Sequence, residues 1–248
     1  MDLTSIISNF KGLDLNTSNY ENYNPRKYLY ILGIDIGVKN LGFSLISITK
    51  DYKFNEIVWI KNVDITKYDG CGGNGCRFNH TRNIYDYLNH MFYINEELFG
   101  ISDKIIIERQ PPGGYVSVEQ IIFGRFRNKA ILISPNSMHK FMGWNELKLD
   151  YEMRKNYSEC IAMSYLKKSN RTYLQDEFKG LERRHDIADA VCISLYYISK
   201  TRTEYNKYKL EAEINENISR AKRNGEFHSH LYLEKFRAPK RLRVRSIE

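Results

Sequence analysis

The stretch that most constrains this chain is residues 28–37, YLYILGIDIG. A run of apolar, β-favouring residues reads as a strand buried on both faces. It delivers one carboxylate, Asp35, just before a turn glycine, Gly37. Burial of an unpaired carboxylate is strongly disfavoured, so either a cation or open solvent must face Asp35. Whatever surrounds this strand has to supply one of them.

The rest of the chain offers a sheet for the strand to join. Residues 41–49 (LGFSLISIT) and 54–63 alternate apolar and polar, with polar DYK between them, which predicts an antiparallel meander of three strands. Residues 81–98 carry Ile84, Leu88, Met91 and Phe92 at helical spacing. A short apolar strand, 104–107, runs into Glu108, and PPGG at 111–114 breaks the chain. A helix over 116–127, a strand over 130–134 ended by Pro135, and helices over 151–168, 184–200 and 204–223 complete the order. Strands followed by alternating helices and strands imply an α/β fold with a mixed five-stranded sheet, three antiparallel strands first and parallel additions after. Residues 1–27, rich in Asn, Ser and Asp, read as a flexible leader, 28–200 as the folded domain and 201–248 as a basic, partly helical extension.

In such sheets ligands gather at the carboxyl ends of strands, where both Asp35 and Glu108 fall. A third acidic element, HDIADA at 185–190, places Asp186 and Asp189 three residues apart beside an apolar helical stripe. Glu182 would extend that face if the helix began early. Adjacent carboxylates repel unless a cation intervenes. The four together would suit Mg²⁺ or Mn²⁺, which accept oxygen ligands and substrate phosphates. Two such ions, about 4 Å apart, would bracket a scissile phosphate with water as nucleophile. Taken singly, each acid has a plainer explanation: Asp35 as a turn cap, Glu108 as a partner of Arg109 or Arg184, the Asp pair as a solvated helix face. Three such motifs in one chain favour the shared site. His185 could orient a water or protonate a leaving group, and a supporting hydrogen bond explains it equally well.

These residues carry a family resemblance. IDIGVKNLGFSLI at 34–46, IIIERQP at 105–111, ISP at 133–135, RK at 154–155 and HDIADA at 185–190 resemble, in order and spacing, the Holliday junction resolvases of poxviruses and related large DNA viruses. Those proteins group with the RuvC-type and mitochondrial resolvases in the ribonuclease H-like superfamily. The resemblance spans roughly 28–200. It implies a ribonuclease H-like fold and a homodimer that cuts opposed strands of a four-way DNA junction with Mg²⁺, two ions per site. Asp35, Glu108, Asp186 and Asp189 match the family's metal-binding carboxylates. Lys39 and Asn40 lie in the matching GVKN turn, Arg109 and Gln110 in the ERQ, and Arg154 and Lys155 at the basic helix position near the substrate. It also implies an intracellular setting, the site of viral replication in an infected cell. The insertion at 69–78, the PPGG and the long extension depart from the pattern.

Charge supports a polyanionic partner. Of the net +8, residues 199–248 hold +6, with 13 Lys/Arg against 7 Asp/Glu. Lys235, Arg237, Lys240, Arg241, Arg243 and Arg245 crowd into a segment without an acid, and Arg241 and Arg243 are candidate DNA contacts; a solvated tail or a nuclear-localisation signal is the plainer reading. No apolar run approaches the ~18 residues of a membrane span, and no signal-peptide pattern opens the chain. The 4 cysteines show no disulfide framework. Cys71, Cys76 and His80 resemble part of a zinc site, with His90 a conceivable fourth ligand, although free thiols in a glycine-rich loop fit as well. Three rival functions stay open: a ribonuclease H-like enzyme acting on RNA–DNA hybrids or flaps, a non-enzymatic DNA-binding module, and an ATPase of the actin or sugar-kinase type. The last needs a second phosphate loop and a second domain, and the sequence shows neither.

Overall fold

The computed structural model describes residues 27–67 and 83–223. Five strands, β1 (Tyr28–Asp35), β2 (Leu41–Thr49), β3 (Phe54–Val63), β4 (Lys104–Glu108) and β5 (Ala130–Ile133), form one sheet in the order β3-β2-β1-β4-β5. The pairs β1/β2 and β2/β3 are antiparallel, while β1/β4 and β4/β5 are parallel. The mixed five-stranded sheet is therefore as expected, and the Asp35 strand lies at its centre.

Helices cover both faces. On one lie α1 (Ile84–Ile94), α2 (Glu96–Ile101) and α3 (Val116–Arg125), packed on Leu32, Ile34, Phe43, Leu45, Ile105 and Ile107. On the other, α4 (Pro135–Phe141), α5 (Tyr151–Lys168), α6 (Thr172–Gly180) and the first half of α7 (Arg184–Arg223) meet Ile31, Ile46, Ile48, Ile57, Ile60 and Ile106. Strand side chains alternate between faces. Because Ile34 belongs to the α1–α3 face, Asp35 points to the α7 face; Ile107 and Glu108 repeat the same parity. Two strands thus aim their terminal carboxylates under one helix.

That helix comes unusually close. A Cβ added to Gly33 of β1 would stand 2.2 Å from the Ala190 carbonyl oxygen, and one on Gly42 of β2 would stand 2.2 Å from that of Asp186. Glycine at these two places lets the α7 backbone rest directly on the sheet. From Ile187 to Leu195 the helix is buried almost all round, as a helix enclosed in a core must be.

Several elements depart from the sequence-based expectation. The helix expected over 81–98 is two, because Asn95 leaves helical geometry and turns its Nδ2 onto the Met91 carbonyl. Pro135 ends β5 and also begins α4, occupying a first-turn position where a missing N–H costs nothing. The polar connection after α5 contains α6, which buries Leu174 and Phe178. The two final helices are one, continuous through Lys200.

The described residues divide into two units between Arg202 and Thr203. In the second, the continuation of α7 is exposed at nearly every position, with ion pairs Lys207–Glu211 (3.9 Å) and Arg220–Glu216 (3.1 Å) along it. Among the described residues no helix is long and apolar enough to cross a membrane.

Candidate active site at the ends of the central strands

The parallel register pairs Ile34 with Ile107, so one step further Asp35 and Glu108 end neighbouring strands on the same face. Their carboxyl groups lie close enough for each to influence the other's hold on its proton. Burial, with the charges of Glu108, Asp189 and Asp186 adding to it, holds Asp35 well above the ordinary carboxylate range. Burial raises Glu108 as well, against the opposing pull of its hydrogen bonds to Asp35 and Gln110. Asp189 is pushed up to about 7, again chiefly by burial; a hydrogen bond with Ser158 opposes the rise, the charges of Glu108 and Asp186 add to it, and the nearby Lys155 charge works against it.

Asp186 enters from above through the gap left by Gly42. Gly42 pairs with Asp35 on one side and Asn62 on the other, so a row of Asp35, Gly42 and Asn62 crosses the sheet beneath it. Asn62 donates from Nδ2 to Asp186 Oδ2 at 3.2 Å. Arg183 grips the same carboxylate with two bonds, Nε to Oδ2 at 2.9 Å and Nη2 to Oδ1 at 3.1 Å. His185 lies on the other side, its Nε2 3.4 Å from Asp186 Oδ1 without a hydrogen bond. Burial leads the influences that lower its pKa and keep it neutral near pH 7.

The strand-end loop is pinned from behind. The Gln110 N–H donates to Glu119 Oε2 at 2.5 Å, and Gln110 Nε2 reaches back to Glu108 Oε2 at 3.3 Å. Glu119, on α3, is buried and also accepts from Gln120.

The other candidate residues separate. Asn40, with its amide turned to satisfy both ends, accepts from Arg183 Nε at 3.2 Å and joins the site's rim. Lys39 and Arg109 are exposed. The two members of RK part company: Lys155 sits over the Tyr151 ring at 4.1 Å, 3.8 Å from Glu152, and its charge reaches Asp189 and His185, whereas the charge of Arg154 is felt at His139 of α4. Glu182 precedes the first residue of α7 and does not extend the acidic face. Cys71, Cys76, His80, Arg241 and Arg243 lie outside the described residues. Arg183, Asn62, Ser158 and Glu119 belong to the site without having stood out in the sequence. Only Arg183, one helical turn before Asp186, carried a local signal.

Four carboxylates, three of them driven toward the neutral form by burial and two of those also by neighbouring charge, are a donor set suited to a hard divalent cation. Among the described residues no three His, Cys, Asp or Glu side chains already stand in ligand geometry, and both Asp186 oxygens are engaged by Arg183 and Asn62. The chemistry fits such an ion; the cluster is not closed around one.

No curated protein matches the chain in sequence. Among solved structures it resembles the fowlpox virus resolvase in complex with substrate Holliday junction DNA, at 19% identity and a TM-score of 0.51, covering 70% of this chain and 99% of that one. The fowlpox virus Holliday junction resolvase gives 18% and 0.50, over 69% and 99%. The yeast mitochondrial Holliday junction resolvase gives 16% and 0.54, over 75% and 85%. These likenesses show the ribonuclease H-like fold. The family profile described as Poxvirus A22 protein matches residues 29–201, the stretch that holds the sheet from the second residue of β1 onward and all four carboxylates, and the chain belongs to that family.

Proposed function

We propose that the chain is a structure-selective DNA endonuclease that resolves four-way junctions, and related branched DNA, by hydrolysing phosphodiesters with water as nucleophile. The observation that carries this is the convergence of Asp35 and Glu108, from adjacent parallel strand ends, on Asp186 and Asp189 of one buried helix. The membership of the poxvirus family and the likeness to resolvase structures support the substrate.

When bound, a pair of Mg²⁺ or Mn²⁺ ions would polarise the phosphate and lower the pKa of a water. Asp35, Glu108, Asp186 and Asp189 would hold them. The raised pKa values of Asp35, Glu108 and Asp189 mean that these three acids would give up protons on loading. Gln110, fixed by Glu119, orients Glu108. Lys155 and Arg183 stand at the rim, where a phosphate backbone would pass, with Asn40 against Arg183; the exposed Lys39 and Arg109 would add backbone contacts. Paired cuts in opposed strands need two such sites about a two-fold axis, so the acting form is a homodimer, working on viral DNA in the cytoplasm or nucleus of an infected cell.

The test is cleavage of a synthetic four-way junction beside duplex, flap and RNA–DNA hybrid controls, with Mg²⁺. Paired symmetric nicks are expected; nicking of the hybrid strand alone would select a ribonuclease H-like activity instead. Asp35→Asn is expected to lose cleavage by more than about a hundredfold, beyond what loss of an outer-shell partner costs, while still shifting the junction in a binding assay.

A further inference from the structure

Arg183 occupies the carboxylate that a bound metal would require. It immediately precedes α7 and closes a two-pronged grip on Asp186, at 2.9 and 3.1 Å. Between that grip and the Asn62 bond, both oxygens that could ligate a cation are taken. Of the neighbouring cations, Arg184 pairs with Glu159 at 3.1 Å, and Lys155 lies beside Glu152 and over the Tyr151 ring. The Arg183 grip is also easily released. Its side chain is 48% exposed while that of Asp186 is 8% exposed, so water can take the guanidinium when the carboxylate turns inward. A half-exposed ion pair is weak, and an incoming dication repels the same guanidinium that it displaces.

We propose that Arg183 is the resident counter-cation of Asp186, competing with the divalent cation for this carboxylate, and that on release it takes a phosphate of the bound DNA backbone. The planar fork that now spans the Asp186 oxygens matches two oxygens of a phosphate equally well. The protein thereby stabilises Asp186 inside an acidic cluster before loading, and gains a backbone contact only once the site is loaded. The second half of this proposal rests on the nuclease reading; the first half does not.

Two measurements test it, each on the full chain. Titration of DNA-free protein with Mn²⁺ by calorimetry should show Arg183→Ala binding about fivefold more tightly than the wild type, the factor equivalent to about 1 kcal/mol for the missing ion pair. Arg183→Lys, which keeps charge without the fork, should fall between them. Unchanged or weaker Mn²⁺ binding in Arg183→Ala would overturn the competition. Fluorescence anisotropy on a labelled four-way junction with Ca²⁺, which takes the same oxygen donors in looser geometry, should show weaker binding by Arg183→Ala and a salt dependence smaller by roughly 0.9 in log–log slope, one phosphate contact. An unchanged slope would overturn the hand-over to phosphate. A residue needed only for folding would weaken both affinities; opposite signs in the two assays are what the proposal requires. A wild type that cuts no nucleic acid, with Arg183→Ala still tightening Mn²⁺, would sink the nuclease reading and leave the competition standing. Junction cleavage by the wild type with unaltered Mn²⁺ affinity in Arg183→Ala would do the reverse.

Discussion

Asp189 shows how the carboxylates store the tension that a cation would relieve. Its pKa is pushed up to about 7, mainly by burial and then by Glu108 and Asp186. A carboxyl raised on folding holds its proton more tightly in the native than in the unfolded chain. Its stabilising contribution is therefore complete below the unfolded value near 4 and is lost as pH rises to about 7; Asp35 and Glu108 shift in the same direction. Metal-free protein should accordingly melt about 5 °C lower at pH 8 than at pH 5. Differential scanning fluorimetry across that range, with Asp189→Asn as comparison, checks this: the variant should show a visibly flatter profile. Added Mg²⁺ should raise the midpoint at pH 8 and scarcely at pH 5, because deprotonated ligands are what it binds.

At the scale of elements, the site depends on how closely α7 lies on β1 and β2. Gly42→Ala would drive a methyl group to 2.2 Å from the Asp186 carbonyl, a clash only a shift of the helix can relieve. About 1–3 kcal/mol of stability should go, as overpacking costs, and cleavage should fall further than that loss explains, since Asp186 moves with the backbone. Gly124→Ala in α3, where nothing lies within 4 Å of the new methyl, should instead gain about 0.5–1 kcal/mol from helix propensity. Urea unfolding of both variants makes the comparison. Glu119 ties α3 to the β4 loop, and Glu119→Ala would strip the Gln110 N–H of its acceptor. We expect about 1–3 kcal/mol of destabilisation. Cleavage should also slow when compared at equal folded fraction, because Glu108 then loses the Gln110 amide that steadies it.

For the whole molecule, the active-site region and the positive charge lie in different parts of the chain. Residues 235–245 carry Lys235, Arg237, Lys240, Arg241, Arg243 and Arg245, while the carboxylates lie in the sheet-bearing unit. A chain ending at Glu234 should keep the chemistry of the site and bind junctions more weakly. Its affinity should also fall less steeply with salt, by up to about 0.9 in log–log slope for each phosphate no longer neutralised. Anisotropy titrations from low to moderate salt measure that slope directly. An unchanged slope would mean that these basic residues do not touch the DNA backbone.

The sequence by itself determined what depends on period and punctuation. Alternation in 41–49 and 54–63, the apolar run of 28–36 and the strand stopped by Pro135 were enough for the mixed sheet, and the apolar runs that stop at Asp35 and Glu108 were enough to put both on strand ends. The acidic HDIADA motif was legible because helical spacing is local. Tertiary structure alone decided the rest. Asn95 breaks a helix through a side-chain bond to the backbone that periodicity does not register. Segment 172–180 becomes a helix because Leu174 and Phe178 find a core to enter. Arg154 and Lys155, adjacent in sequence, part because successive helical side chains point about 100° apart. Above all, the engagement of Asp186 by Arg183 and Asn62 needed a glycine gap in β2 and a helix resting in it. Those groups meet across distant segments, and a meeting of that kind leaves no period in any one of them.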